Sequence, residues 1–290
     1  MRRRDFLATT LSAALLGRGA AAQPLRARVR FGCAAITWGG NDRAAIDDIS
    51  ALGFRGIQLR GSAVTTWGER PGELKNLLAA RNLEFVALSS GTLAFDPAAA
   101  SSSLKQHVRH ARFLREAGGR YLQVLEERPP GHEAVPDDYR YLGRLLSDLG
   151  NRTADLGVPL VYHNHMGAFG EKPDDVARIL DAADPRVVHL LLDTAHYAQA
   201  GGDPAAAIHR HGERIRLLHL KDLAGSHFTE LGRGSVDFTA VFAALDDIGF
   251  DGWGVVEVDD VADPNAHTPK ESGAIGRRYL ERIGRWNDAR

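Results

Sequence analysis

Residues 187–204 read VVHLLLDTAHYAQAGGDP, and the order of residue types there decides the fold. Val187, Val188, Leu190, Leu191 and Leu192 form a short apolar run, the composition of a strand covered on both faces. Asp193 stands where the run stops. His196 follows three residues later, and Gly201-Gly202 lead into Asp203-Pro204, a helix start with proline in the first turn. A buried strand ending in a carboxylate, then a loop, then a capped helix is one unit of a parallel α/β fold. In such folds functional groups sit at the carboxyl ends of strands. Asp193 is therefore the first candidate ligand or catalyst.

The same unit recurs along the chain. Strands are expected at 29–36, 56–59, 83–88, 121–125, 158–162, 187–192, 215–218 and 254–256. Amphipathic helices are expected at 42–52, 71–81, 104–117, 137–156, 173–183, 204–211, 237–248 and from 269 to about 286. Eight strand–helix pairs in strict alternation, with no long linker, are the pattern of a (β/α)8 TIM barrel. A doubly wound open sheet is the alternative, but it would normally carry a glycine-rich phosphate loop after its first strand, and no GxGxxG is present. Residues 25–290 are read as one barrel domain.

Bulk properties set the outer bounds. The chain has 290 residues, 44% hydrophobic and 25% charged, with a formal net charge of −1. That balance argues against a nucleic-acid partner. Cys33 is the single cysteine, so an intramolecular disulfide or a thiolate metal cluster is excluded, and its apolar neighbours make it a core residue.

Residues 1–24 have the order of a targeting signal: Arg2-Arg3-Arg4, a mostly apolar run to Leu16, then Ala20-Ala21-Ala22 before Gln23. The segment Arg3-Arg4-Asp5-Phe6-Leu7 resembles the bacterial twin-arginine export signal. The expectation is a periplasmic or otherwise exported enzyme, with the twin-arginine translocase as its partner during export. The apolar run is too short for a comfortable transmembrane span, so no stable membrane anchor is expected.

His163, Asp193, His219 and Glu257 mark the ends of the last four expected strands. A barrel brings these ends to one mouth. Two imidazoles and two carboxylates suit one divalent ion. Mn²⁺ is favoured because four protein ligands leave room for a substrate oxygen only on an ion that expands beyond tetrahedral; Co²⁺, Zn²⁺ or Mg²⁺ are the alternatives. His163 and His165 alternate along an extended strand, so both can face the interior. Lys221, two residues after His219, can polarise a carbonyl, donate a proton, or pair with Asp222 or another carboxylate at the barrel top. Glu126 or Glu127, after the fourth strand, are candidates for substrate binding or ligand support. Trp38 and Asn41 can bound the substrate pocket, although packing accounts equally for Trp38. His196 stands near the same mouth. Arg233, between Gly232 and Gly234, can touch an anionic group or belong to a surface turn. Phe228, Trp253 and Trp286 belong to packing or to a subunit contact, and a homo-oligomer is left open.

At these residues the chain resembles the xylose-isomerase-like barrels, the sugar phosphate isomerase/epimerase superfamily that also contains endonuclease IV. The telling pieces are YHNHMG at 162–167, LLLDTAHYAQAGGDP at 190–204, HLKD at 219–222, LGRGSVDF and VVEVDD, and together they look most like the inosose dehydratase branch. TWGGND at 37–42 and Glu126 fit that branch as well. The resemblance implies a divalent-metal site of Glu, Asp, His and Glu from strands five to eight, which Asp193, His219 and Glu257 match directly. It departs at strand five, where His163 replaces Glu, and at strand two, where Gln58 stands in place of a common Glu and becomes a candidate substrate contact.

The resemblance implies proton abstraction next to the carbonyl of a ketosugar or keto-cyclitol, leading to isomerisation, epimerisation or dehydration. His163, His165 or Glu257 would be the base, with His165 preferred because a metal ligand is a poorer base. Lys221 or Glu126 would return the proton. Replacing one of two epimerase glutamates by an imidazole places a two-carboxylate epimerase in doubt. The export signal points to a substrate made outside the cytoplasm, such as a 3-keto-glycoside. A non-catalytic sugar- or metal-binding protein and an endonuclease IV-like phosphodiesterase are the readings from other classes. The phosphodiesterase needs a three-ion cluster with more His and Glu ligands and a more basic surface.

Overall fold

From Arg28 onward the chain alternates strand and helix. The first half contains β1 (Arg28–Ala34), a 3-10 turn (Ala35–Trp38), α1 (Asp42–Ala51), β2 (Gly56–Arg60), α2 (Ser62–Trp67), α3 (Pro71–Ala79), β3 (Glu84–Leu93), α4 (Pro97–Glu116), β4 (Tyr121–Glu126) and α5 (Pro136–Ala154). The second half contains β5 (Leu160–His163), α6 (Pro173–Ala182), β6 (Val188–Asp193), α7 (Thr194–Gln199), α8 (Pro204–His211) and β7 (Ile215–Leu220). There follow a hairpin of β8 (Asp222–Ala224) and β9 (His227–Thr229), then α9 (Phe238–Asp247), β10 (Asp251–Val256) and α10 (Pro269–Arg282). This computed structural model describes residues 27–126, 128–129, 131–259 and 267–286. The expected signal at 1–24 lies outside the described residues, as does Glu127.

Eight strands close into a barrel in the order β1-β10-β7-β6-β5-β4-β3-β2. Every barrel pairing is parallel, and β1 closes the ring by pairing β2 on one side and β10 on the other. The closed sheet excludes the doubly wound alternative. Among the described residues no helix is long and apolar enough to cross a membrane.

Side chains divide by strand alternation into two cores. Leu190, Leu192, Leu218 and Leu220 point outward and pack under the helices. Ala34, Val86, Ala87, Val161, Leu191, Leu217, Trp253 and Val255 fill the barrel itself. Trp253 is the plug, fully buried, and Gly56 makes room for it: a Cβ at Gly56 would lie 2.5 Å from the indole. Above this apolar floor the same inward rows turn polar. Val161 is followed by His163, Leu191 by Asp193, Leu217 by His219 and Lys221, and Val255 by Glu257. The barrel thus carries its ionisable groups up to the carboxyl-end mouth.

The expected elements differ from the observed ones at several points, among them α4, which starts at Pro97 rather than at 104. The connection after β2 holds a short helix, α2, which buries Ala63 and Trp67. β3 runs on to Leu93, with its register shifted between Ser89 and Thr92. The residues after Asp193 are a helix rather than a loop, because the Asp193 side chain caps them. The β8–β9 hairpin has strands of three residues each, too short to show a period. Cys33 is buried, as its neighbours imply, and burial pushes its thiol up to about 12. Trp286 stacks on Phe31 at 5.6 Å, which explains it as packing.

Candidate active site

Asp193 sits fully buried at the centre of the mouth. Its Oδ1 accepts hydrogen bonds from the backbone N–H groups of Ala195 and His196, each at 3.0 Å, and so starts α7. Oδ2 is left facing inward. It lies 3.5 Å from His163 Nε2, 3.4 Å from His219 Nδ1 and 3.3 Å from Lys221 Nζ. Glu257 Oε1 closes the group, 3.3 Å from His219 Nδ1 and 2.8 Å from Lys221 Nζ.

Among the described residues, His163 Nε2, Asp193 Oδ2 and His219 Nδ1 are buried atoms with no hydrogen-bond partner, and the three residues offer ligand atoms within 4.8 Å of one another. Leaving one such group unsatisfied costs about 1–3 kcal/mol. Three together, all of ligand type, fit a divalent cation.

The electrostatics agree. Burial alone would raise the Asp193 carboxyl, but the Lys221 ammonium holds it well below the usual carboxylate range. Glu257 is lowered against its burial by His219 and Lys221. Lys221, itself fully buried, is raised despite burial by Asp193, Glu257 and Asp259, the last at 2.8 Å. It is therefore a fixed positive charge among three carboxylates. Asp222 is not among its partners: that carboxylate accepts from the backbone N–H groups of Leu223, Gly232, Gly234 and Val236 and shapes the following loop. Burial pushes His163 down to about 4 and His196 down to about 2, so both imidazoles are neutral near pH 7.

A second layer fixes these groups. Asn164 bridges to the Asp193 backbone, and the Thr194 hydroxyl donates to the Lys221 carbonyl oxygen at 2.7 Å. His219 Nε2 donates to Gln58 Oε1 at 3.0 Å, Gln58 Nε2 donates to Gln123 Oε1 at 2.8 Å, and Gln123 Nε2 donates to His163 Nδ1 at 2.9 Å. The hairpin lays Phe228 over the site, 4.8 Å from Lys221 Nζ and 4.7 Å from the His196 ring.

Beside this centre lies a cavity of about 310 Å³ lined by Thr92, Glu126, Arg128, His165 and their neighbours. The His165 ring lies against His196 with centroids 4.0 Å apart and planes tilted by 39°, and its Nδ1 donates to the Met166 carbonyl oxygen. That bond leaves Nε2 as a lone-pair acceptor. Glu126 Oε1 accepts from Tyr162 Oη at 3.1 Å and Gly170 N at 2.6 Å, while Oε2 is buried with no hydrogen-bond partner among the described residues. Burial pushes Glu126 up to about 7.

The structure thus brings together His163, His165, Asp193, His196, His219, Lys221 and Glu257, with Glu126 beside them. Other candidates fall elsewhere. Trp38 donates its indole N–H to Asp48 and packs in the outer core, and Asn41 is exposed and caps α1 through Ala44 N. Gln58 spends both ends of its amide on Gln123 and His219. Arg233 is an exposed turn residue paired with Glu230 at 3.8 Å. Sequence reasoning missed Gln123, Asn164, Asp259 and the cover from Phe228. Gln123 leaves the one usable signal, an amide inside the apolar strand YLQVLE.

Such a mouth on such a sheet defines the class: a (β/α)8 barrel whose last strands end in groups of the kind that could hold a cation. A family model described as xylose isomerase-like TIM barrel matches residues 46–280, and the chain belongs to that family. It is 27% identical over 302 aligned positions to an inosose dehydratase of Lacticaseibacillus casei strain BL23, covering 89% of this chain and 97% of that one. It is 26% identical over 296 positions to an inosose dehydratase of Clostridium beijerinckii, covering 88% and 97%. The fold superposes on the IOLI protein, whose crystal structure holds a zinc atom, with a TM-score of 0.77 at 16% identity, over 90% of this chain and all of that one.

Proposed function

We propose that this chain is a divalent-metal-dependent lyase that removes water from a keto-cyclitol or ketosugar. The observation that carries the reading is the meeting of Asp193 Oδ2, His219 Nδ1 and Glu257 Oε1 at one buried mouth, with His163 Nε2 beside them. The names of the inosose dehydratase relatives support the reaction class, and the zinc of the IOLI protein supports the ion. Asp193, His219 and Glu257 would hold the ion, with His163 beside them. Mn²⁺ is favoured, with Co²⁺, Zn²⁺ and Mg²⁺ as alternatives, since a substrate oxygen must also find room.

When bound, the ion supplies Lewis-acid stabilisation of the negative charge that builds on the substrate carbonyl. The chain's residues do the rest. His165 Nε2 takes the proton from the carbon next to the carbonyl; a positioned base of this kind contributes ~10²–10⁴-fold. The released electron pair forms the carbon–carbon double bond, and the carbon–oxygen bond of the neighbouring hydroxyl breaks. Glu126 supplies the proton that lets the hydroxyl leave as water. Its Oε1 already accepts two hydrogen bonds, and its Oε2 stands free to carry and donate that proton. Lys221 holds Glu257 and Asp193 in place as a permanent charge.

Export by the twin-arginine route belongs to the same proposal. Outside the cytoplasm a 3-keto-glycoside is a substrate of the same chemistry, with a glycosyl oxygen as the leaving group.

The test is to incubate the purified chain with Mn²⁺ in D₂O and a 2-keto-inositol, a ketohexose or a 3-keto-glycoside. Growth of enone absorbance is the expected result. Deuterium uptake without enone would make the chain an isomerase or epimerase. Metal uptake with neither would favour a binding protein.

A further inference from the structure

Gln58 and Gln123 stand in series between the two imidazoles of the mouth. The contacts are His163 Nδ1 to Gln123, Gln123 to Gln58, and Gln58 to His219 Nε2, at 2.9, 2.8 and 3.0 Å. All four side chains are buried, so each contact needs one donor and one acceptor. An amide has one donor end and one acceptor end. Two amides in series therefore pass the same polarity along: if one imidazole donates into the chain, the other must accept from it. Reversing both amides exchanges the two imidazoles but leaves the count unchanged.

A neutral imidazole that gives a lone pair to a metal carries its proton on the other nitrogen. If both His163 and His219 were ligands, both would donate into the chain, and two amide NH₂ groups, or an NH₂ and a ring N–H, would face each other with no acceptor between them. So only one of the two can be a ligand while the chain of hydrogen bonds is intact.

Geometry chooses between them. His219 Nδ1 lies between two carboxylate oxygens, Asp193 Oδ2 at 3.4 Å and Glu257 Oε1 at 3.3 Å. His163 Nε2 neighbours Asp193 alone, at 3.5 Å. We propose that His219 is the single imidazole ligand, and that Gln58 and Gln123 are positioning residues that turn an N–H of His163, not a lone pair, toward the centre. His163 would then be a hydrogen-bond donor to an oxygen bound beside Asp193, the place a hydroxyl or carbonyl oxygen of a polyhydroxy ketone would take. This rests on the metal-site reading above and assigns its ligands one by one.

The experiment is tautomer-resolved ¹H–¹⁵N NMR of the histidines in zinc-loaded, ¹⁵N-labelled protein, with zinc affinity measured by competition with a chromophoric chelator. In the wild type His219 should show a zinc-bound Nδ1 and a protonated Nε2, and His163 a protonated Nε2 and a free Nδ1. His219→Ala should weaken zinc binding by at least about 10–100-fold, the loss that follows removal of even an outer-shell partner, and His163→Ala by less than about 3-fold. Gln123→Glu supplies two acceptor ends, which lets both imidazoles donate outward. In that variant the His163 tautomer should reverse and zinc should bind about 10-fold tighter. Gln58→Glu should do the same, so the test does not hang on one variant folding. Zinc-bound signals from both histidines in the wild type, or an unchanged His163 tautomer in both glutamate variants, would overturn the assignment while leaving the metal site standing. Absence of zinc uptake by the wild type would overturn both.

Discussion

Asn164 and Asp193 exchange two hydrogen bonds across the mouth, Asp193 N to Asn164 Oδ1 at 2.8 Å and Asn164 Nδ2 to the Asp193 carbonyl oxygen at 3.3 Å. The pair locks the end of β6 to the end of β5, so the Asp193 carboxylate inherits a fixed backbone. Asn164→Ala strands a buried N–H and a buried carbonyl, a cost of about 2–6 kcal/mol at about 1–3 kcal/mol for each unsatisfied group. Urea unfolding should show that loss, and divalent-ion affinity should fall with it. Wild-type stability in Asn164→Ala would mean that the bridge does not set the Asp193 backbone.

Glu126 gives the folded chain a pH signature. Its carboxyl is at about 7 when folded, against 4.5 in the unfolded chain, because burial disfavours the charge. The folded state therefore holds the proton more tightly between these values. The contribution is fully present below 4.5 and is lost as pH rises through about 7. At ~1.4 kcal/mol per pH unit the interval is worth about 3 kcal/mol. Glu126→Gln cannot lose this proton, so the variant's stability should gain on the wild type's between pH 5 and 8. Parallel stability curves for the two proteins would place the Glu126 charge in solvent instead.

The barrel was legible because its signal is repeated: eight apolar runs, each closed by a polar residue and followed by a helix start. The mouth was legible for the same reason, since Asp193, His219 and Glu257 each end an inward row that begins with a buried apolar residue. What stayed hidden depends on contacts between distant segments. Trp38 looks the same in sequence whether it faces a pocket or donates to Asp48. Gln58 follows the pattern of a strand-end contact, and only closure of the sheet sets it against Gln123 and His219. The hairpin strands carrying Asp222 and Phe228 are too short to show a period.

His165 separates chemistry from binding. Its Nδ1 is spent on the Met166 carbonyl oxygen and its ring rests on His196, so Nε2 is the free end. His165→Asn should lower kcat by ~10²–10⁴-fold, the span for loss of a positioned base, with metal content unchanged. Elemental analysis beside steady-state rates on a keto-cyclitol makes the comparison. A loss of metal in parallel with activity would move His165 from the base to the support of the metal site.

Lys221 tests the charge balance of the same centre. Its ammonium is fully buried and touches Asp193, Glu257 and Asp259, the first two buried carboxylates and the third partly buried. Lys221→Met keeps the length of the side chain and removes the charge. In metal-free protein that should cost about 3–5 kcal/mol, because buried carboxylates lose their counter-charge. A divalent ion at Asp193 and Glu257 restores positive charge to the same place, so Mn²⁺ or Zn²⁺ should raise the Tm of the variant by more than it raises that of the wild type. Differential scanning fluorimetry with and without the ion reads both effects. A metal-free variant as stable as the wild type would mean that the three carboxylates shed their charge by taking up protons, and the picture of Lys221 as a permanent charge among anions would fail.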